Sequence, residues 1–252
     1  MNEVDLTVVY DNYPGSEPLR TAHGFACVVR AGERTVLFDA GGSGKILLEN
    51  MEKVEIDPAE IQAVVLSHMH WDHIGGLDAF LTVNPDVAVY MPAAFSSSFI
   101  RDVEARARSV VRTERPHEVV TGVWTTDVLE RPLVEQALYV ETAEGIVVVT
   151  GCAHPGVVEL ARSARSESGA EVRAVLGGFH MAGMGRSGIE RVIHGLRELD
   201  VRRVGPCHCS GDPARQAMRE AFGDDYLDIG VGARLTLPAM EAGRDTAPRG
   251  GG

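Results

Sequence analysis

Apolar residues along this chain fall into short runs separated by turn-forming residues. Near the start, runs at 6–10, 25–30 and 35–38 are divided by Tyr13-Pro14-Gly15 and Ala31-Gly32. Such β-rich runs joined by turns predict an antiparallel beginning. Further strands are expected at 61–66, 87–91, 137–141, 146–150, 172–176 and 201–205, with helices at 46–51, 77–83, 156–166, 188–199 and 213–222. Asp57-Pro58-Ala59-Glu60 has the N-cap, early proline and first-turn acid that begin a helix. Strand-rich halves, each decorated with helices, predict two sheets packed face to face with the helices outside. Residues 1–240 read as a single domain. Residues 241–252, with glycine, proline and charge but no apolar anchor, read as a disordered tail.

Composition narrows the partners. The 252 residues allow one sizeable core, and a net charge of -12 spread along the chain disfavours nucleic acid and anionic membranes as partners. The first ten residues carry acids where a signal peptide would be basic, and no apolar run approaches the ~20 residues of a spanning helix. A cytoplasmic protein acting on a small molecule is the expectation. Cys27, Cys152, Cys207 and Cys209 make a poor disulfide framework, so reduced thiols are expected.

The chemistry concentrates in Ser67-His68-Met69-His70-Trp71-Asp72-His73, which directly follows an apolar segment. In extended chain, alternate side chains share a face, so His68 and His70 point the same way. Asp72 and His73 fall where the chain turns toward a helix. Imidazoles and carboxylates together suit zinc, and also iron or manganese. Gly75-Gly76 lets the backbone bend tightly around an ion. Other predicted strands also end in polar residues beside glycine: Phe38-Asp39-Ala40-Gly41, Gly151-Cys152-Ala153-His154, Gly178-Phe179-His180 and Pro206-Cys207-His208-Cys209. Recurrence at strand ends points to convergence along one edge, where active sites of sheet proteins commonly lie.

These segments resemble the metallo-β-lactamase superfamily, with its H-x-H-x-D-H signature, an upstream aspartate and later histidines. Together with His23-Gly24 and Leu66-Ser67-His68, they are similar to the branch named for 7,8-dihydropterin-6-methyl-4-(β-D-ribofuranosyl)aminobenzene-5'-phosphate synthase. The resemblance implies an α/β fold, a four-layer αββα sandwich of two mixed sheets. It also implies two divalent metal ions, zinc in first place. His68 and His70 would hold one, with His154 completing that set, and Asp72, His73 and His208 the other. Asp39 would stand behind the ligands as an orienting carboxylate. In most members a histidine precedes a hairpin whose second strand ends in Gly-Asp, and that aspartate bridges both metals. Here the hairpin at 136–150 has no such histidine, and the Gly-Asp position reads Gly151-Cys152. Cys152 is either a soft ligand replacing the bridge or a buried filler, and is left out of the ligand set. Cys207 and Cys209 read as packing residues.

Hydrolysis is the expected reaction. Two metals would activate water and polarise a substrate oxygen of a phosphoester, lactone or thioester. Asp72 would hold the nucleophile, and His180 would donate a proton or contact substrate. A pterin-type synthase that condenses an activated pyrophosphate substrate, or a metal-stabilised binding protein without turnover, are the alternatives. His23 is expected near the mouth of the site. Residues 95–116, irregular and arginine-rich, read as a substrate-recognition insert whose Arg101 and Arg108 would meet an anion. Their acidic neighbours support an ordinary solvated helix surface equally well. The Gly183–Gly188 segment matches G-x-G-x-x-G but lacks the acid a ribose would need, and reads as a loop over the site.

Overall fold

Along strand β10 (Gly145–Thr150), Val147 and Val149 face one core while Ile146 and Val148 face another. A strand buried on both faces belongs between two layers, and this pattern recurs through the molecule. The computed structural model describes residues 3–15 and 18–239, so the segment expected to be a tail lies outside the described residues.

The first sheet contains β1 (Glu3–Tyr10), β2 (Ala26–Ala31), β3 (Arg34–Phe38), β4 (Ala63–Val65), β5 (Ala88–Pro92), β6 (Ser109–Thr113) and β13 (Arg234–Pro238), in the order β13-β1-β2-β3-β4-β5-β6. The second contains β7 (His117–Val120), β8 (Val123–Thr125), β9 (Leu138–Thr142), β10, β11 (Val172–Gly178) and β12 (Arg203–Cys207), in the order β12-β11-β10-β9-β8-β7. Both sheets are mixed. The opening β1-β2-β3 meander is antiparallel, as its turns predict, and β3 through β6 run parallel. In the second sheet β9 and β10 form the antiparallel hairpin, and β10, β11 and β12 run parallel.

Three apolar cores separate four layers. The central one joins Val29, Val36, Phe38 and Val65 of the first sheet to Leu138, Val147, Val149 and Leu176 of the second. Outside the first sheet lie α1 (Gly44–Lys53), α3 (Leu77–Val83) and α4 (Ser97–Glu104), which bury Leu47, Met51, Phe80, Leu81 and Ile100 against Val28, Leu37 and Val64; the single turn α2 (Trp71–Ile74) falls between α1 and α3 in the chain. Outside the second lie α5 (Val157–Ser168), α6 (Arg186–Glu198) and α7 (Asp212–Phe222), contributing Leu160, Ile193, Leu196 and Met218. Each such fully buried aliphatic side chain stabilises the fold by about 1.5–3 kcal/mol. The α/β sandwich expected from the sequence is the architecture observed.

Two expectations need correction. Asp57 does cap a helical start, accepting from the amide of Ala59 at 2.9 Å, but the helix stops after one 3-10 turn, Pro58–Glu60. Ile61 returns to extended backbone because its buried side chain belongs to the core under α3. The 95–116 segment is not an irregular insert: it forms α4 and the edge strand β6, which pairs in parallel with β5. Among the described residues no helix is long and apolar enough to cross a membrane.

Candidate metal centre

Parallel strands finish at the same edge. The loops after β1, β3, β4, β10, β11 and β12 therefore converge, delivering Asn12, Asp39, the 67–73 run, Cys152, His180 and His208. Four non-glycine residues there have positive φ: Asp39 at 58°, Ala153 at 59°, His180 at 49° and His208 at 48°. Such backbone is uncommon outside glycine and persists where surrounding contacts hold it, often at functional sites.

The donor atoms gather in two main sets. In the first, His70 Nδ1 lies 3.1 Å from His68 Nε2 and 3.3 Å from His154 Nε2. In the second, His73 Nε2 and His208 Nε2 are 3.2 Å apart, and Cys152 Sγ stands 3.3 and 3.4 Å from them. Asp72 Oδ2 joins this set, 3.6 Å from His73 Nε2 and 3.3 Å from His208 Nε2. Nitrogens bound tetrahedrally to zinc at 2.0–2.1 Å are separated by about 3.3 Å, so this spacing and donor chemistry fit a divalent ion in each set.

Neighbours fix which nitrogen each ring presents. Asp39 Oδ2 accepts from the Ser67 hydroxyl at 2.7 Å and pairs with His73 Nδ1 at 2.7 Å, leaving His73 Nε2 aimed inward. Having donated to Asp39, the Ser67 oxygen accepts from His68 Nδ1 at 2.8 Å, which turns His68 Nε2 inward too. Asn12 Oδ1 does the same for His208, accepting from Nδ1 at 3.0 Å. Orienting partners of this kind hold metal-ligating imidazoles in one tautomer.

Proton affinities follow from burial and crowding. Burial, reinforced by His73, His154 and His70, holds His68 well below the ordinary imidazole range. Burial and then His180 and His70 bring His154 down to about 4. His73 is buried, which favours its neutral form, but Asp39, Asp72 and Glu135 outweigh this and raise its pKa. Burial works against an ionised Asp72, yet the His208 hydrogen bond and the His73 charge prevail and hold its pKa low. His180 is raised, first by its contact with Cys209.

The residues expected in the site are brought together with two exceptions. His68, His70, Asp72, His73, His154, His208 and Asp39 take the positions just described. His180 packs its ring on His154, with centroids 4.1 Å apart. His23 stands at the mouth, its Nε2 3.1 Å from Asp72 Oδ2 and its ring beside the exposed Trp71. Arg108 is displaced: it precedes β6, at the opposite end of the parallel strands, where it pairs with Asp86 at 3.4 Å. Arg101 is exposed on α4, outside both sets. Neighbouring arginines are neutralised as well, Arg106 by Asp78 and Arg112 by Glu104. A cavity of about 560 Å³ does lie at the site's end of β5 and β6, lined by Ala93, Thr113, Val134 and Arg115. Of the Gly183–Gly188 segment, Met184 and Arg186 line a groove between α6 and α7, and α6 begins at Arg186.

Three residues lie outside the set expected from the sequence. Cys152, weighed as a soft ligand or a buried filler and left out of the ligand set, lies among the second set. Asn12 bridges His208 and His23, its Nδ2 3.1 Å from His23 Nδ1. Glu135, fully buried, accepts from the amides of Cys152, Ala153 and His154 at 2.9, 2.8 and 2.7 Å. It stands just before the β9-β10 hairpin, where the resemblance calls for a histidine. The carboxylate at that position was the available signal: it clamps the loop from which His154 reaches in.

Comparison with known proteins agrees with this fold. The family model described as the metallo-beta-lactamase superfamily matches residues 20–160, and the chain belongs to that superfamily. Within it, the chain is 24% identical to the 7,8-dihydropterin-6-methyl-4-(beta-D-ribofuranosyl)-aminobenzene-5'-phosphate synthase of Methanocaldococcus jannaschii, over 92% of this chain and 96% of that one. Among solved structures it is similar to Tm1679, described as a metal-dependent hydrolase of the beta-lactamase superfamily, with TM-score 0.79, 26% identity and coverage of 93% and 99%. The metallo-beta-lactamase fold protein YhfI of Bacillus subtilis shares the fold at TM-score 0.69 and 14% identity, over 93% of this chain and 99% of that one.

Proposed function

We propose that this protein is a metal-dependent hydrolase acting on a small ester-like substrate, a phosphoester, lactone or thioester. The observation that carries the reading is the asymmetry of exposure: His68, His73 and His208 are buried, whereas His70, His154 and His180 reach the surface on one side. A substrate can therefore approach the donor sets from that side. Two divalent ions, zinc in the first place, would be held by His68, His70 and His154 and by Asp72, His73, His208 and Cys152. When bound they supply Lewis acidity toward a substrate oxygen and lower the pKa of water.

The chain's own groups do the rest. Asp72, ionised at neutral pH, accepts a hydrogen bond from the attacking water and so orients it. His23 contacts the same carboxylate oxygen at 3.1 Å and keeps it turned toward the opening. His180, with its raised proton affinity, donates a proton or a hydrogen bond to the leaving oxygen. Met69 and Trp71, both exposed on the metal-binding run, give the mouth an apolar rim for the substrate body. Arg115, lining the cavity beside β6, offers a charge to an anionic group. The hydrolase description of Tm1679, at 26% identity over nearly the full length, supports this reading.

A second reading rests on the synthase relative. That relative is a synthase by name, and the resemblance to its branch implies condensation of an activated pyrophosphate substrate, with the same ions assisting the leaving group. Metal analysis of the protein, combined with a panel of phosphodiester, lactone and thioester substrates and an assay for released pyrophosphate, separates the readings. Hydrolysis that disappears in Asp72→Asn supports the hydrolase. Pyrophosphate release from an activated pterin, with no hydrolysis across the panel, replaces it with the synthase.

A further inference from the structure

The loops of the second sheet carry more soft donors than the two sets use. Cys152 Sγ, Cys209 Sγ and a ring nitrogen of His180 all lie within 4.8 Å of one another. They come from the loops after β10, β12 and β11, three adjacent parallel strands. We propose that these residues form a third metal site, for a thiophilic divalent ion such as zinc, which shares the Cys152 thiolate with the second set.

Two thiolates and one imidazole are the donor set of a known class of catalytic zinc site, which keeps its fourth position open. Thiolate donors favour zinc over magnesium or manganese, which prefer oxygen. The surrounding backbone is shaped to the group. A Cβ at Gly178 would clash with the Gly151 carbonyl oxygen and meet Cys209 Sγ at 2.8 Å, so glycine there lets the loop after β10 and the sulfur both come close. The His180 amide donates to Cys209 Sγ at 3.3 Å, the kind of outer hydrogen bond that supports a metal-bound ligand. His180 holds its position with a φ of 49°. Cys207 offers the contrast: two residues away, it is fully buried in the core between the sheets and takes no part.

The 3-10 turn His208–Ser210 thus serves two neighbouring sites, with His208 turned to the second set and Cys209 to the third. His180 is exposed, so the group is reachable from the side where substrate would enter. An imidazole bound through one nitrogen keeps an N–H on the other, which leaves His180 able to donate to a leaving oxygen. The third site does not depend on the hydrolytic reading.

The test is cobalt(II) titration of the chelated, reduced protein, read by metal bound per chain and by sulfur-to-cobalt charge-transfer absorption. Wild type is expected to bind about three ions, and Cys209→Ser and His180→Ala about two each, with the charge-transfer band weakened in Cys209→Ser. His180 is exposed, so its variant should fold normally. His70→Ala also binds about two ions but keeps the full band, because the first set contains no sulfur. An unchanged ion count in His70→Ala would therefore count against the imidazole set alone and leave the third site untouched. Equal ion counts and equal bands in wild type, Cys209→Ser and His180→Ala would overturn the third site. So would a Cys152–Cys209 disulfide that, once reduced, leaves cobalt uptake unchanged.

Discussion

The two main donor sets differ in chemistry and in support. His68, His70 and His154 offer nitrogen alone, and two of the three are partly exposed. Asp72, His73, Cys152 and His208 offer oxygen, nitrogen and sulfur, and all four are buried. Each of the second set's histidines is gripped from behind by its own partner, His73 by Asp39 and His208 by Asn12. In the first set, only His68 has such a partner, Ser67, while His154 is placed through its loop by Glu135. The second set is thus the preorganised one, suited to retain an ion. The first is open, suited to exchange ligands and meet substrate.

Removing His73 should have the largest effect. His73→Ala takes a donor atom from the second set and also leaves Asp39 buried without its imidazole. Breaking a buried pair by deleting one partner costs about 3–5 kcal/mol. The expected outcome is loss of the second ion, with a large fall in the urea midpoint of the chelated protein. Metal content near wild type would show that the second set is not a metal site.

A smaller change sharpens the contrast. Asn12→Ala should weaken metal retention by the second set about 10–100-fold, the usual effect of losing an outer partner, and leave the first set unchanged. Asp39→Ala should weaken both, because Asp39 holds His73 directly and His68 through Ser67. Competition with a chelator, following the two ions separately, distinguishes the variants. If Asn12→Ala and Asp39→Ala proved alike, the sets would not be independently supported.

Why some of this was legible in the sequence and some not follows from where the atoms come from. His68, His70, Asp72 and His73 are adjacent in sequence, so one strand end declares them. The sandwich was legible too, because strands buried on both faces read as continuous apolar runs such as Ile146 to Val149. Edge elements were not: β6 has mostly exposed or half-buried side chains, and α4 presents serine and arginine. Asn12 and Glu135 could not be read locally, and Cys152 could only be weighed as soft ligand or buried filler. Asn12 meets His208 across 196 positions, and the Glu135 carboxylate acts on amides 17 to 19 residues away. A cysteine after a strand looks like core until the fold brings two imidazoles within 3.4 Å of its sulfur.

The smallest expected effect concerns Glu135, and its sign depends on pH. Burial raises this carboxyl to about 7, against about 4.5 when exposed, although three amide hydrogen bonds oppose the shift. The folded, metal-free protein therefore holds a proton there that the unfolded chain releases between those values. Its contribution to stability is present below about 4.5 and is lost as pH rises toward 7. His154 behaves oppositely: with a folded value of about 4 against 6.5, it costs stability as pH falls through that window. Glu135→Gln removes the first effect and keeps the second. Glutamine also turns an N–H toward one of the three amides, so the variant starts less stable at low pH. Measured by urea unfolding of chelated protein, its deficit relative to wild type should shrink as pH is raised from 5 to 7.5, on the order of 1 kcal/mol. A deficit that stays constant would mean that Glu135 remains ionised throughout, held by its three amides more strongly than burial opposes them.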